Sequence, residues 1–174
     1  RGEAMQSAVP IGIGAMTALI GISIEEVERF ISFSDDSNGV VEIANDNAPG
    51  QIVISGHSNE VGKVAKIAKE SGAKATINLQ VSAPFHCALM QPAKLIMEEA
   101  LDKINFSEPK LPVISNVSAI PETAPNILKK NLITQITNRV RWRETILNLN
   151  RLGVNNLLEI GSGNVLKGLA RRSS

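Results

Sequence analysis

Two rhythms of apolar and polar positions alternate along the first eighty residues. Residues 8–21 are an apolar, glycine-rich run of the kind that becomes a buried strand. Ser23 can then cap a helix whose apolar positions are Val27, Phe30 and Ile31. Residues 35–39 form a turn cluster, residues 40–44 a strand, and Asn45-Asp46-Asn47-Ala48-Pro49-Gly50 a loop. Residues 51–55 read as the next strand. Residues 59–71 place Val61, Val64, Ala65 and Ala68 on one helical face, and Gly72 suits the C-cap. Residues 74–79 close the series as a strand. The resulting order, βαββαβ, is the ferredoxin-like split arrangement.

From residue 81 onward the pattern lengthens. A long amphipathic helix is predicted over residues 85–104, with Leu89, Ala93, Ile96, Ala100 and Ile104 as its apolar stripe and Pro92 as a kink in its early turns. Residues 112–117 read as a strand. Two helices follow, over residues 124–137 with Leu128, Leu132 and Ile136 inward, and over residues 142–152 with Trp142, Ile146 and Leu149 inward. Residues 156–160 read as a short strand, and Gly161-Ser162-Gly163 turns into a last helix through Leu169. Two strands are few for a parallel sheet, which is covered on both faces. The second half is therefore expected to be part of a larger α/β domain completed by other sequence.

Composition narrows the function classes. Of 174 residues 43% are apolar, enough for a core, and only 3% are aromatic, with no tyrosine. That disfavours base-stacking platforms for nucleic acid. The net charge is +1, from 18 basic and 17 acidic residues, so no phosphate-backbone footprint is expected. Lys167, Arg171 and Arg172 suit a solvated helix end. The single cysteine, Cys87, excludes an internal disulfide and fits a reducing cytoplasm. No apolar run reaches the roughly 18 residues of a membrane span, and no signal peptide is read. Arg1 opens the chain without a methionine, so a piece of a longer protein is expected.

The chemistry-bearing stretch is Val81-Ser82-Ala83-Pro84-Phe85-His86-Cys87-Ala88-Leu89-Met90-Gln91-Pro92-Ala93, which sets one of two histidines in a bend before a helix. A lone histidine at a helix start is more often structural than catalytic. Its non-helical approach and the want of a metal-ligand cluster favour its near-neutral pKa as the useful property, that of a general base. A base needs a nucleophile. Gly56-His57-Ser58-Asn59-Glu60 imitates a serine elbow but lacks the second glycine, so Ser58 is expected as a helix N-cap and His57 as a surface residue. Cys87 is expected as a small buried thiol. One cysteine and two separated histidines make no metal ligand set.

The motif at residues 81–93 resembles the histidine motif of malonyl-CoA:acyl carrier protein transacylases. Arg1-Gly2-Glu3-Ala4-Met5-Gln6 is similar to their arginine motif, and Gly14-Ala15-Met16-Thr17-Ala18-Leu19-Ile20-Gly21 to the strand after it. Asn47-Ala48-Pro49-Gly50-Gln51 is similar to their asparagine loop. Residues 135–142 and Glu159-Ile160-Gly161-Ser162-Gly163-Asn164-Val165-Leu166 are similar to their C-terminal motifs, with Asn164 where the family commonly has lysine. The similarities run in order across essentially the whole chain.

The resemblance implies an α/β fold, a ferredoxin-like βαββαβ subdomain plus the C-terminal part of an α/β-hydrolase-like parallel-sheet domain. Residues 1–7 would be a linker carrying the arginine motif, 8–80 the small subdomain and 81–174 part of the large one. It implies ping-pong malonyl transfer through a serine ester, in bacterial-type fatty acid synthesis in the cytoplasm. His86 would be the general base, oriented by the main-chain carbonyl of Gln135. Arg1 would clamp the malonyl carboxylate with its planar fork, Met5 would line the same pocket, and Asn47 would lie against it. The nucleophilic serine would precede this sequence, and the 174-residue chain alone is expected to be inactive. Malonyl-CoA and acyl carrier protein are the implied partners, with a separate fragment carrying the serine as a further candidate. Lys129, Lys130, Arg139, Arg141 and Arg143 are candidate contacts for the acidic carrier. No cofactor is implied, since the CoA thioester is a substrate. Apart from the resemblance, a non-catalytic binding module remains open, and it gives no reason for His86, Arg1 and Asn47 to share a cleft.

Overall fold

Ser23 begins the first well-defined helix as expected, through a reciprocal capping box. The Glu26 amide donates to the Ser23 hydroxyl at 3.3 Å, and the Ser23 amide donates back to the Glu26 carboxylate at 2.9 Å. In the computed structural model of the chain, which describes residues 1–33, 39–161 and 163–173, this helix is α2 (Ile24–Phe33). It lies between β1 (Gly14–Ile20) and β2 (Val41–Ala48); β3 (Gln51–His57), α3 (Ser58–Glu70) and β4 (Ala75–Asn78) follow. The turn expected at residues 35–39 lies outside the described residues except for Gly39, and Ser162 is outside them too.

These strands form one mainly antiparallel sheet in the order β4-β1-β3-β2-β7, where β7 is Val140–Arg141. β1 lies between β4 and β3 and is buried on both faces. Leu19 points with Ile52, Ile54 and Ile43 into a core closed by Val27, Phe30, Val61, Val64 and Ala68 of α2 and α3. Met16, Ala18, Ala44 and Val53 cover the opposite face, where Phe85 packs against them. Gly14 is required there: an added Cβ would fall 2.3 Å from the Pro84 ring, so only glycine lets the strand meet the histidine segment.

The expected loop at residues 45–50 is largely strand. β2 continues through Asn45, Asp46 and Asn47, and only Pro49-Gly50 turns into β3. Turn propensity is overridden by two register shifts, between Ile43 and Asn45 and between Asp46 and Ala48, which absorb one extra residue each and bend the strand. Asp46 is fully buried and held by Arg143, which donates its Nε–H to both carboxylate oxygens at 2.9 and 3.0 Å.

Beyond residue 80 the helices are α4 (Gln91–Asp102), α5 (Pro125–Thr134), α6 (Trp142–Arg151) and α7 (Val165–Ser173). The single long helix expected from residue 85 does not form. A short 3-10 turn, Ala88–Met90, precedes α4, and Pro92 sits in the first turn of α4, where its missing N–H costs nothing, so it does not kink the helix. The expected stripe is also rotated: Ala93 and Leu101 are buried, whereas Ile96 and Ile104 are exposed. Of the helix expected over 124–137, Leu128 is buried, Leu132 is exposed, and Ile136 is buried just past its end.

The strand expected at 112–117 shrinks to β5 (Val113–Ile114), which pairs antiparallel with β6 (Pro121–Glu122) as a separate ribbon. The strand expected at 156–160 is absent among the described residues. The one parallel pairing among them joins β7 to β2, with Asn45 opposite Val140 and Asp46 opposite Arg141. Trp142, the only tryptophan, opens α6, and its indole nitrogen is buried with no hydrogen-bond partner among the described residues. No helix among the described residues is long and apolar enough to cross a membrane.

Residues 2–7 form a helix, α1 (Gly2–Ser7), where a linker was expected. Ala4 and Met5 bury against Ala83, Met90, Ala93 and Ile136, and Gln6 donates to the Ser82 hydroxyl at 3.0 Å. The histidine segment is thereby wedged between α1, α4 and the back of the sheet.

Candidate active site

His86 is held in an unusual backbone state. Its φ is +61°, a left-handed conformation that a non-glycine residue adopts at a cost of about 1–3 kcal/mol and keeps only where the surroundings enforce it. Such a kink lets the imidazole leave the line of the chain. Its Nδ1 lies 2.8 Å from the carbonyl oxygen of Gln135 and 3.1 Å from that of Asn138. Carbonyls only accept, so Nδ1 carries the hydrogen. In the neutral ring this leaves Nε2 as a bare lone pair, the arrangement of a general base.

Electrostatics keep that lone pair available. Burial lowers the His86 pKa, with a smaller lowering from the positive charge of Arg1; the hydrogen bond to Gln135, and less so that to Asn138, opposes both. The balance favours neutral imidazole. Gln135 is buried at the C-cap of α5, and its backbone oxygen makes the contact.

Arg1 precedes α1 and donates its Nε–H to the Met5 sulfur at 3.4 Å. The residue as a whole is exposed, yet partial burial of its guanidinium lowers its pKa. Met5 is buried in the cluster that contains Ile136, next to Gln135. His86, Gln135, Arg1 and Met5 are thus gathered at one place. Asn47 is not tied to them: it is the extra residue of the second shift in β2, half-buried, and no hydrogen bond among the described residues links it to the other four.

Ser58 and His57 resolve differently from expectation, whereas Cys87 is the buried thiol expected. Ser58 is the first residue of α3, whose N-cap is His57, and its hydroxyl donates to the carbonyls of Gly12 and Ile13. His57 is half-buried, and its Nδ1 accepts the Val40 amide at 2.8 Å. Cys87 is buried, and its thiol donates to the Pro84 carbonyl at 3.1 Å; burial pushes its pKa up, which suppresses the thiolate. Among the described residues no hydrogen bond joins Ser58 or Cys87 to the His86 ring. Among the described residues no cluster of histidine, cysteine and carboxylate could hold a metal.

Four of the five candidate carrier contacts are engaged within the chain. Lys129 pairs with Asp102, Arg139 with Glu28, Arg141 with Glu144 and Arg143 with Asp46. Two neighbours of the site escaped sequence reasoning. Asn138 contributes only a carbonyl, which no side-chain pattern announces. Glu42 does leave a signal, a lone charge in the run Val40-Val41-Glu42-Ile43-Ala44, and its carboxylate accepts the Ala88 amide at 3.3 Å.

No protein-family model matches the chain. It is 44% identical over 172 residues to a malonyl CoA-acyl carrier protein transacylase of Bacillus subtilis strain 168, an alignment covering 99% of this chain and 54% of the relative. Its fold superposes with a TM-score of 0.95 on an acyl-carrier-protein-S-malonyltransferase from Bartonella henselae, at 50% identity over 99% of this chain and 55% of the other. It matches equally, with a TM-score of 0.95 at 40% identity over 99% of this chain and 55% of the other, a malonyl-transacylase solved in complex with its type II PKS acyl-carrier protein. The chain spans about half the length of the curated relatives it matches. Over nearly all of its own length, this chain is similar to part of the bacterial malonyl CoA-acyl carrier protein transacylases.

Proposed function

We propose that these residues supply the base, its orienters and the substrate clamp of an enzyme that moves a malonyl group from malonyl-CoA to the phosphopantetheine thiol of acyl carrier protein. The observation that carries this is the His86 ring, with Nδ1–H spent on the Gln135 carbonyl and Nε2 left bare. A serine hydroxyl attacks the thioester carbonyl while Nε2 takes its proton. The C–S bond then breaks, and the leaving CoA sulfur takes that proton from His86. The carrier thiol repeats the sequence on the serine ester in reverse roles, and the serine is regenerated. No metal or redox cofactor enters this scheme.

Arg1 is the group placed to pair with the malonyl carboxylate. It stands close enough for its charge to reach the imidazole, and its fork matches two carboxylate oxygens. The serine would come from sequence outside the 174 residues, on the same polypeptide or a separate fragment, since Ser58 and Cys87 are both committed elsewhere. Residues 8–80 then correspond to a ferredoxin-like subdomain and 81–174 to the C-terminal part of a larger, parallel-sheet domain. The reaction belongs to cytoplasmic fatty acid synthesis. A non-catalytic binding module leaves the left-handed backbone of His86 without a purpose.

The test is malonyl transfer by the full-length protein that carries these residues. His86→Ala is expected to lower the rate by about 10²–10⁴ with the melting curve unchanged. Arg1→Ala is expected to weaken malonyl use far more than acetyl use. Wild-type transfer by His86→Ala would sink the base assignment, and equal losses with both acyl groups would sink the clamp.

A further inference from the structure

A left-handed histidine must be held from both sides of the kink. The ring side is accounted for by the carbonyls of Gln135 and Asn138. On the chain side, the residues after His86 turn sharply: Cys87 is extended, and Ala88 begins the 3-10 turn that leads into α4. The Ala88 amide opens that short helix and has no backbone acceptor among the described residues. It is met by Glu42, whose Oε1 accepts it at 3.3 Å from across the fold, on β2.

Glu42 is an odd residue for a strand in a sheet packed on both faces. It stands between Val41 and the buried Ile43, and its side chain is half-buried. No lysine, arginine or histidine among the described residues makes an ion pair with it, although Glu28 and Arg139 line the same open pocket of about 390 Å³ and pair with each other. Burial accordingly raises its pKa, and the hydrogen bond from the Ala88 amide opposes this. A carboxyl group kept there at such a cost has one polar task in view, to hold Ala88.

The same strand also governs the other side of the kink. Asn45 and Asp46 pair with Val140 and Arg141 of β7, shortly after Asn138, and Glu42 shares its pocket with Thr137 and Asn138. β2 therefore touches both the segment that bears the imidazole and the turn that bears its orienting carbonyls.

We propose that Glu42 is a positioning residue for His86: from β2 its carboxyl group fixes the Ala88 amide and so sets the imidazole in register with the carbonyls of Gln135 and Asn138. This rests on His86 acting as the base, and the experiment separates the two. It has two arms, both in the full-length protein. In the first, ¹⁵N-labelled imidazole reports which ring nitrogen carries the proton. Wild type is expected to show a single Nδ1–H tautomer. Glu42→Ala is expected to mix the tautomers, and Glu42→Gln, whose amide oxygen still accepts from Ala88, to restore the single form. In the second, Glu42→Ala is expected to lower kcat by about tenfold to a hundredfold with KM little changed, as a small misplacement of a base does, and Glu42→Gln to recover most of the loss.

A wild-type tautomer and a wild-type kcat in Glu42→Ala would overturn the assignment while leaving His86 untouched. A Glu42→Gln variant as impaired as Glu42→Ala in both arms would overturn it as well, because the acceptor that the proposal invokes is kept in glutamine. If His86→Ala retained transfer, the base assignment would fall, and the tautomer arm alone would still decide whether Glu42 orients the ring.

Discussion

The imidazole of His86 is pulled toward neutrality by burial and by the Arg1 charge, and toward protonation by two carbonyls that prefer an N–H donor. Burial dominates, so the ring should titrate below the ordinary histidine value of about 6.5. The folded state then binds this proton more weakly than the unfolded state does. The contribution to stability is complete above about pH 6.5 and is lost as pH falls from there through the lower folded value. A histidine NMR titration of the folded chain should give a midpoint below that of a model peptide, and a midpoint at or above it would contradict the electrostatic description. Sequence made His86, Arg1 and Met5 visible because their side chains carry the chemistry. Asn138, like Gln135, contributes only a carbonyl oxygen; Gln135 was legible through the resemblance, and nothing in the sequence pointed to Asn138.

At the level of elements, the join between β2 and α6 carries the most charge at stake. Asp46 is fully buried in a strand, and Arg143 is its ion-pair partner among the described residues. Arg143→Ala would leave a buried carboxylate unpaired and should cost about 3–5 kcal/mol in urea unfolding, whereas Asp46→Leu with Arg143→Met should cost clearly less. Equal losses would show that the pair acts through shape alone.

The same join explains which elements could be read from sequence. α2 announces itself by its capping box and a single apolar face, and α3 and α6 by an apolar face alone. Asn45-Asp46-Asn47 reads as a loop by local preference, but the register shifts and the distant Arg143 make it strand. The start of α4 was misplaced because apolar residues at 85–90 continue the helical rhythm, while the His86 backbone breaks it. Ile96 and Ile104 misled the stripe because they face outward here.

Across the whole molecule, apolar exposure is uneven. Leu158 and Ile160 are 86% and 88% exposed, and Leu157 and Val165 are also open to solvent. Leu157 and Leu158 line a cavity of about 620 Å³ together with Trp142, Leu166 and Arg171. Large apolar side chains left open to solvent bind hydrophobic dyes. The 174-residue chain by itself should therefore raise the fluorescence of such a dye under native conditions, and Leu158→Asp with Ile160→Asp should lower that signal without lowering the melting temperature. An unchanged signal would show that these side chains are not the exposed patch. The sequence suggests a strand at 156–160 because the polar pair Asn155-Asn156 gives way there to Leu157, Leu158 and Ile160; that pattern finds no ladder partner among the described residues.

Trp142 gives the molecule an optical property of its own. It is the one indole in a 174-residue chain with no tyrosine, so indole emission from this chain comes from a single ring at the first turn of α6. That ring follows directly on β7 and the Asn138 turn, which lies against His86. The 174-residue chain thus carries a built-in fluorophore shortly after the Asn138 carbonyl in sequence, and changes at the start of α6 can be followed by light without any added label.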